Sequence, residues 1–298
     1  MKNTSTLLLA AAALTASFAA SVPAAAQGGP AANLLRGILL PRPAPVDPGL
    51  AVFGTTADGR LIRFGTNTPA TFAYVGFIAG FTGGDTALVG IDFRIQNGLL
   101  YGVGNAGGIY TVDTVNASLT FVNRTSVPLT GTAYGVDFNP AADRLRIISN
   151  TGQNLRHNVN AGGITLVDGA LSYAAPAVAA GVVGAAYTNN DLVGSTGTTL
   201  FDIDSTLDQV VLQVPPNSGG LAATGLLGRD VSAVTGFDIF SARDTNGVTV
   251  SNTAYASVVN PNGTASFLGV NVLTGLVTEI GTFPDGVVVT DISVAILP

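Results

Sequence analysis

From residue 50 onward the chain is a succession of short apolar runs separated by turns. Residues 50–55 meet 60–64 across Ala57-Asp58-Gly59, and Asp-Gly between two apolar runs predicts a tight hairpin. Residues 74–78 supply a third strand. Four longer units follow, each with four predicted strands. They are 89–93, 99–103, 108–112 and 119–122, then 134–138, 144–149, 154–158 and 164–167. The next two units have 183–187, 199–203, 209–214 and 221–227, and 235–239, 254–259, 265–272 and 276–280. A last strand, 288–295, stands alone.

The opening strands are near copies of one another. They read Leu88-Val89-Gly90-Ile91-Asp92-Phe93, Tyr134-Gly135-Val136-Asp137-Phe138, Val183-Gly184-Ala185-Ala186-Tyr187 and Thr235-Gly236-Phe237-Asp238-Ile239, and the solitary strand carries Val289-Thr290-Asp291-Ile292. Aligned on Asp92, Asp137, Ala186, Asp238 and Asp291, the copies are 45, 49, 52 and 53 residues apart. A strand-rich repeat of that period is the size of a propeller blade. The first unit lacks the opening strand, and the last opening strand lacks a unit. Both facts follow if 288–295 pairs with the N-terminal unit, 50–78, inside one sheet, which closes a ring and leaves no open edge at the seam. The expected fold is therefore all-β, a β-propeller of five four-stranded blades over residues 50–298. Six shorter blades, with extra strands in 168–182 or 240–252, and an open array are the alternatives.

The first residues change the picture of where the protein acts. Met1-Lys2-Asn3, the apolar stretch 7–20 and Ala24-Ala25-Ala26-Gln27 form a charged head, a hydrophobic segment and a small-residue cleavage site, so residues 1–26 read as a signal peptide. Thr15, Ser17, Ser21 and Pro23 interrupt the apolar stretch before it is long enough to span a bilayer. Residues 27–49 hold Pro30, Pro41, Pro43, Pro45 and Pro48 and read as a linker. The expected location is periplasmic or extracellular, with no integral membrane segment after cleavage.

Composition agrees with a fold whose strands are covered on both faces. Charged residues make up 10% of the chain and cysteine is absent, so an exported body of this kind is held by burial without disulfides. Lys2 would leave with the signal, and the remaining 11 arginines against 18 acidic residues give 11 − 18 = −7. An acidic chain without clustered lysine or arginine has no electrostatic footprint for nucleic acid or anionic lipid.

Three groups of side chains are candidates for chemistry. Asp92, Asp137, Asp238 and Asp291 recur with the repeat, and on innermost strands they would approach the axis as an oxygen set suited to Ca²⁺ or Mg²⁺. The structural alternative is that each accepts backbone hydrogen bonds from its own or the next blade. Arg144, Arg146, Asn154 and Arg156 lie on adjacent strands at period-two spacing, and guanidinium forks there could grip a carboxylate or phosphate. Their structural alternative is a set of pairs with Asp143 and loop carbonyls that holds the hairpin in register. Asp202-Ile203-Asp204 with Asp208 fails the EF-hand spacing, since Leu207 stands where glycine is needed, and Asp244-Thr245-Asn246-Gly247 reads as a tight turn.

Other chemistries are poorly provided for. His157 is the only histidine, and with no cysteine the usual zinc sets cannot form. It is expected as an exposed strand residue. No Gly-x-Ser-x-Gly elbow is present, tryptophan is absent, and the glycine runs lack the lysine and helix of a phosphate loop.

The run from Asp137-Phe138-Asn139-Pro140 through Asp143-Arg144-Leu145-Arg146-Ile147-Ile148-Ser149-Asn150 to Gln153-Asn154-Leu155-Arg156 resembles the signature of secreted bacterial proteins grouped as domain of unknown function 4394. Val89-Gly90-Ile91-Asp92-Phe93-Arg94, Gly184-Ala185-Ala186-Tyr187-Thr188-Asn189, Leu200-Phe201-Asp202-Ile203-Asp204-Ser205 and Gln213-Val214-Pro215-Pro216-Asn217 are similar as well, and the likeness spans roughly residues 50 to 297. Gly162-Gly163 replaces an expected Thr-Gly turn. The resemblance implies export and a propeller-like fold, and it carries over no catalytic residue.

The expected function is thus an exported, non-catalytic module that binds an unknown protein or small-molecule ligand on a ring face, as a monomer. A metal- or Asp-dependent hydrolase or lyase working in the axial funnel is one alternative. A cell-surface or matrix structural protein tethered through 27–49 is another. Ca²⁺ is the one cofactor the aspartates suggest.

Overall fold

The computed structural model describes residues 47–296. The expected signal peptide, 1–26, and all of the expected linker except 47–49 lie outside the described residues. Within them the chain forms twenty strands in five four-stranded antiparallel sheets, with no α-helix.

Blade 1 holds β1 (Ala51–Thr56), β2 (Arg60–Gly65) and β3 (Thr68–Phe77). Blade 2 holds β4 (Leu88–Arg94), β5 (Leu99–Gly104), β6 (Gly108–Val112) and β7 (Leu119–Arg124). Blade 3 holds β8 (Tyr134–Asn139), β9 (Arg144–Ser149), β10 (Asn154–His157) and β11 (Thr165–Val167). Blade 4 holds β12 (Val182–Tyr187), β13 (Leu200–Asp204), β14 (Gln209–Gln213) and β15 (Leu221–Leu226). Blade 5 holds β16 (Thr235–Arg243), β17 (Thr249–Val259), β18 (Ala265–Val270) and β19 (Val277–Thr282). The final strand, β20 (Val289–Val294), is the innermost strand of blade 1, in the order β20-β1-β2-β3.

The ring closes as the unpaired ends require. Val52 stands opposite Val294, Gly54 opposite Ile292 and Thr55 opposite Asp291. The Thr55 and Thr290 hydroxyls hydrogen-bond at 2.8 Å. Five apolar cores fill the five interfaces between neighbouring blades, which is what a closed ring needs and an open array would lack. At the seam between blades 5 and 1, Phe64 meets Phe267 and Phe283 edge-on with ring centroids 5.1 Å apart. Burying each such aromatic contributes about 1.5–3 kcal/mol, so both faces of every blade add to stability.

Because each blade is sandwiched, the period-two pattern vanishes from its inner strands. Every residue of β12 and of β13 is buried, whereas the outermost strands β3, β7, β15 and β19 are almost wholly exposed or half-buried. No sixth blade exists among the described residues. Residues 240–252 lengthen β16 and β17 into one long hairpin, and 168–182, ahead of Val182 where β12 begins, make only isolated bridges such as Ser172 to Gly220. The outer strand β3 starts at Thr68, earlier than the expected 74–78, and takes in Pro69. An edge strand tolerates a residue without an N–H.

Candidate functional site

The repeated aspartates lie where the inner strands crowd the axis. Glycine stands two residues before the motif position in four blades, and the reason is steric: a Cβ on Gly135 would come 2.6 Å from the Ala185 nitrogen, and one on Gly236 2.7 Å from the Asp291 Cα. Without side chains there, neighbouring inner strands approach closely enough for each aspartate to reach the next blade's backbone.

The bonds run around the ring. Asp92 Oδ2 accepts from the Phe138 N–H at 2.8 Å, and Asp291 Oδ2 accepts from the Ile91 N–H at 2.7 Å. Asp238 Oδ2 accepts from the Val294 N–H at 2.6 Å, and Asp137 takes a backbone hydrogen bond from Tyr187. Ser293 Oγ–H donates to Asp92 Oδ1 at 2.9 Å and adds a cross-link from blade 1. The one interface without an aspartate, from blade 4 to blade 5, has Ala186 packed in an apolar core with Phe237 and Ile239.

Three of these carboxylates form a cluster. Oxygens of Asp92, Asp137 and Asp238 lie within 4.8 Å of one another, while Asp291 falls outside that group and acts on it electrostatically. Burial pushes Asp92, Asp137 and Asp291 well above the usual carboxylate range, and neighbouring aspartate charges add to the effect at all three. Burial lifts Asp238 to about 6. Chemically, hard oxygens so close together suit protons shared among them or a small divalent cation.

The arginine group is drawn into the body of the fold. Arg146 is 1% exposed, and its guanidinium donates to Asp168 (2.5 Å), Asn154 (2.7 Å), Asn217 (2.9 Å) and the Tyr187 hydroxyl (3.2 Å). Arg156 Nε meets the same Asp168 oxygen at 2.6 Å. Asn154 donates to the Gly169 and Pro216 carbonyls. Arg144 stays apart and reaches the Ala142 and Asp143 carbonyls of its own turn. Asp143 pairs with Arg94 of blade 2, which holds its carboxyl below the usual range. The network pins blade 3 to the loop 214–220, and its acid, Asp168, lies just beyond β11.

His157 is a correction: it is fully buried. Nε2 meets Asn123 Oδ1 at 2.8 Å and Nδ1 meets Thr165 Oγ1 at 2.9 Å, and burial depresses its pKa to about 4. Asp204 accepts from Tyr173, Thr206 and Leu207, Asp208 from Val231, and Asp244 closes its turn through Asn246 and Val248, as the spacing implied. Asp202 is different. Both its oxygens are buried without a hydrogen-bond partner, and burial raises its pKa well above the usual value.

A cavity of about 440 Å³ opens at the end of the axis where the inner strands begin. Thr55 to Ala57 and Thr290 line it from blade 1, Thr86 to Val89 from blade 2, Thr132 to Tyr134 from blade 3 and Ala233 to Thr235 from blade 5. Phe81 and Ile78 complete the wall. No charged side chain lines it. The axial aspartates lie one to three residues further down the same strands. The loop that carries Phe81 and Thr86 is pinned by buried Asp85, which accepts from the Tyr110 hydroxyl and from Arg124, both at 2.7 Å. Sequence reasoning missed this cavity. Its signal is the small or hydroxyl-bearing residues just ahead of each motif copy, a pattern without recognisable chemistry.

The family model described as Domain of unknown function (DUF4394) matches residues 60–293. No curated protein matches the chain. Among solved structures, an auxiliary nutrient binding protein from Bacteroides ovatus is 13% identical with a TM-score of 0.38, over 71% of this chain and 56% of that one. This chain thus spans little more than half of that protein's length. A putative 6-phosphogluconolactonase from Bacteroides uniformis is 12% identical with a TM-score of 0.37, covering 80% and 84% of the two chains. A protein of unknown function from Bacteroides thetaiotaomicron is 12% identical with a TM-score of 0.42, covering 83% and 67%. At such scores and identities none of these bears on activity or ligand.

Proposed function

We propose, from the premise that this chain belongs to the family Domain of unknown function (DUF4394), that it is a non-catalytic binding module whose ligand or protein partner sits at the axial mouth. One observation carries this reading: the mouth cavity is framed by four rigid blades and lined by hydroxyl and apolar groups alone. Concave, pre-formed sites of this kind suit recognition. Of its threonine hydroxyls only Thr56 has a carboxylate beside it, Asp58 at 2.5 Å, whose charge is already paired with Arg60. Thr55 and Thr290 bond to each other, Thr86 and Thr132 accept from asparagine amides and Thr235 donates to a carbonyl, and a hydroxyl without a base is a poor nucleophile. The carboxylates that a hydrolase or lyase would use are buried below and hydrogen-bonded to backbone.

Export belongs to the same proposal. The signal-like residues 1–26 support a periplasmic or extracellular module, acting as a monomer. The described body begins at Asp47 and enters β1 at the end opposite the cavity, since Val52 pairs with Val294 while Thr56 pairs with Val289.

The test is a fragment screen by ligand-observed NMR on the wild-type chain and on Ala233→Trp, which fills the mouth from an exposed position. Binding lost in the variant supports the reading. Binders that persist in the variant place the site elsewhere.

A second reading rests on the 4.8 Å carboxylate cluster: Asp92, Asp137 and Asp238, with Asp291 nearby, would supply oxygens to Ca²⁺. A calorimetric scan at pH 8 tests it. The reading expects millimolar Ca²⁺ to raise the Tm, and an unchanged Tm removes it.

A further inference from the structure

We infer that the mouth cavity selects uncharged small molecules that carry hydroxyl or carbonyl oxygens on an apolar frame. The inference rests on the reading that the cavity is the binding site and adds the chemistry of what enters it.

The polar groups of the lining set the first half of that chemistry. Thr86 Oγ1 accepts from the Asn105 side-chain amide at 2.9 Å, and Thr132 Oγ1 accepts from the Asn150 amide at 3.1 Å. A hydroxyl that already accepts keeps its own proton to donate, so both threonines offer a hydrogen bond to a ligand oxygen. Tyr134 does the reverse: its hydroxyl donates to the Gly131 carbonyl at 2.8 Å and keeps lone pairs for a ligand hydroxyl. Between these groups, Phe81, Leu88 and Val234 present apolar wall.

The charges around the cavity set the second half. Those nearest the rim are already neutralised in place: Asp58 pairs with Arg60 at 3.2 Å, and Asp85 with Arg124 at 2.7 Å. An anion entering the mouth would find no guanidinium to replace its water, and it would approach the axial carboxylates from above. A cation would find no carboxylate in the wall, because the axial ones are turned to the backbone N–H groups of neighbouring blades. Either charge would be desolvated without a partner, which is unfavourable by far more than a neutral hydroxyl's desolvation. A neutral ligand loses little on entering and gains the threonine donors and the apolar wall.

The experiment is an ¹⁵N-resolved NMR titration of the full chain with three probes of matched size: n-butyl β-D-glucoside, its glucuronide, and its 6-amino-6-deoxy analogue. The glucoside is expected to shift the amides of Thr86, Ala133 and Val234, with each charged probe weaker by about tenfold or more, since an uncompensated charge exceeds the 1.4 kcal/mol that tenfold represents. The Thr86→Val/Thr132→Val variant, which keeps shape and removes both donors, should weaken the glucoside by about tenfold, the worth of one to two hydrogen bonds. Its unchanged circular dichroism would show that the fold is intact. A charged probe that binds as tightly as the glucoside, or a glucoside that moves none of these amides, overturns the ligand class and leaves the cavity reading to the fragment screen. Shifts that survive in Ala233→Trp overturn the cavity reading itself.

Discussion

The carboxylate of Asp291 accepts a hydrogen bond from the backbone N–H of Ile91 at 2.7 Å, although the two residues are 200 positions apart in the chain. Two residues on, the Ser293 hydroxyl accepts from the Phe93 N–H at 3.1 Å and donates to Asp92. The Val294 N–H turns the other way, to Asp238 of blade 5. Strand β20 is therefore bonded to three blades at once: it pairs with β1 inside blade 1 and ties blade 1 to both of its neighbours.

Removing residues 288–298 takes away all of these bonds and exposes the cores on either side of blade 1. The shortened chain should lose its cooperative thermal transition, and amide exchange in β1 and β4 should rise toward unprotected rates. A truncated chain that melts at the wild-type Tm would mean that the ring does not depend on its seam.

Asp202 gives a second prediction. Its carboxyl sits in the interface between blades 3 and 4 with no partner for either oxygen, and Arg146, whose charge acts on it, is already bound to Asp168. Because burial raises its pKa, the stability it contributes is present at acid pH and lost as pH rises through the folded value. The stability of Asp202→Asn relative to the wild type should therefore be more favourable at pH 8 than at pH 5, because the amide has no charge to acquire as pH rises. Urea unfolding at the two pH values measures it.

His157 titrates in the opposite sense. With its pKa held to about 4 by burial, the imidazole is neutral wherever the protein is folded near neutrality. Its ring resonances should show no titration between pH 8 and pH 5.5. A midpoint above 6 would contradict the buried, doubly hydrogen-bonded ring.

Much of the architecture is legible in the sequence because it repeats. The Gly-x-Asp strand, its spacing, the first unit that lacks an opening strand and the solitary last strand point to five blades and the seam, and the pairing of Thr55 with Asp291 bears this out. What the strands touch is less legible. In β12 and β13 both faces are buried, so alternation carries no directional information, and His157 on β10 could not be distinguished from an exposed residue. Arg146 finds its acid at Asp168 and an amide at Asn217, partners fixed by loop paths that no short-range pattern encodes. The mouth cavity is harder still, since it is built from threonine, alanine and valine at strand starts, residues whose meaning comes only from the ring that gathers them.

The central claim is that the axial aspartates serve as buried, proton-bearing acceptors that hold the inner strands together, which leaves the mouth above them as the functional surface. Asparagine at Asp92 and Asp137 keeps an acceptor for the next blade and removes the charge. In chelator, the raised pKa values make the wild-type chain gain stability as pH falls from 8 to 5, because these groups take up protons in the folded state while the unfolded carboxyls, near 3.9, remain ionised. The decisive measurement is urea unfolding of wild type and Asp92→Asn/Asp137→Asn at pH 5 and pH 8 in chelator. The stability gained on acidification should be larger in the wild type than in the variant, with His157 cancelling from the comparison. Equal gains, or a variant that is the less stable of the two at pH 8, would contradict it.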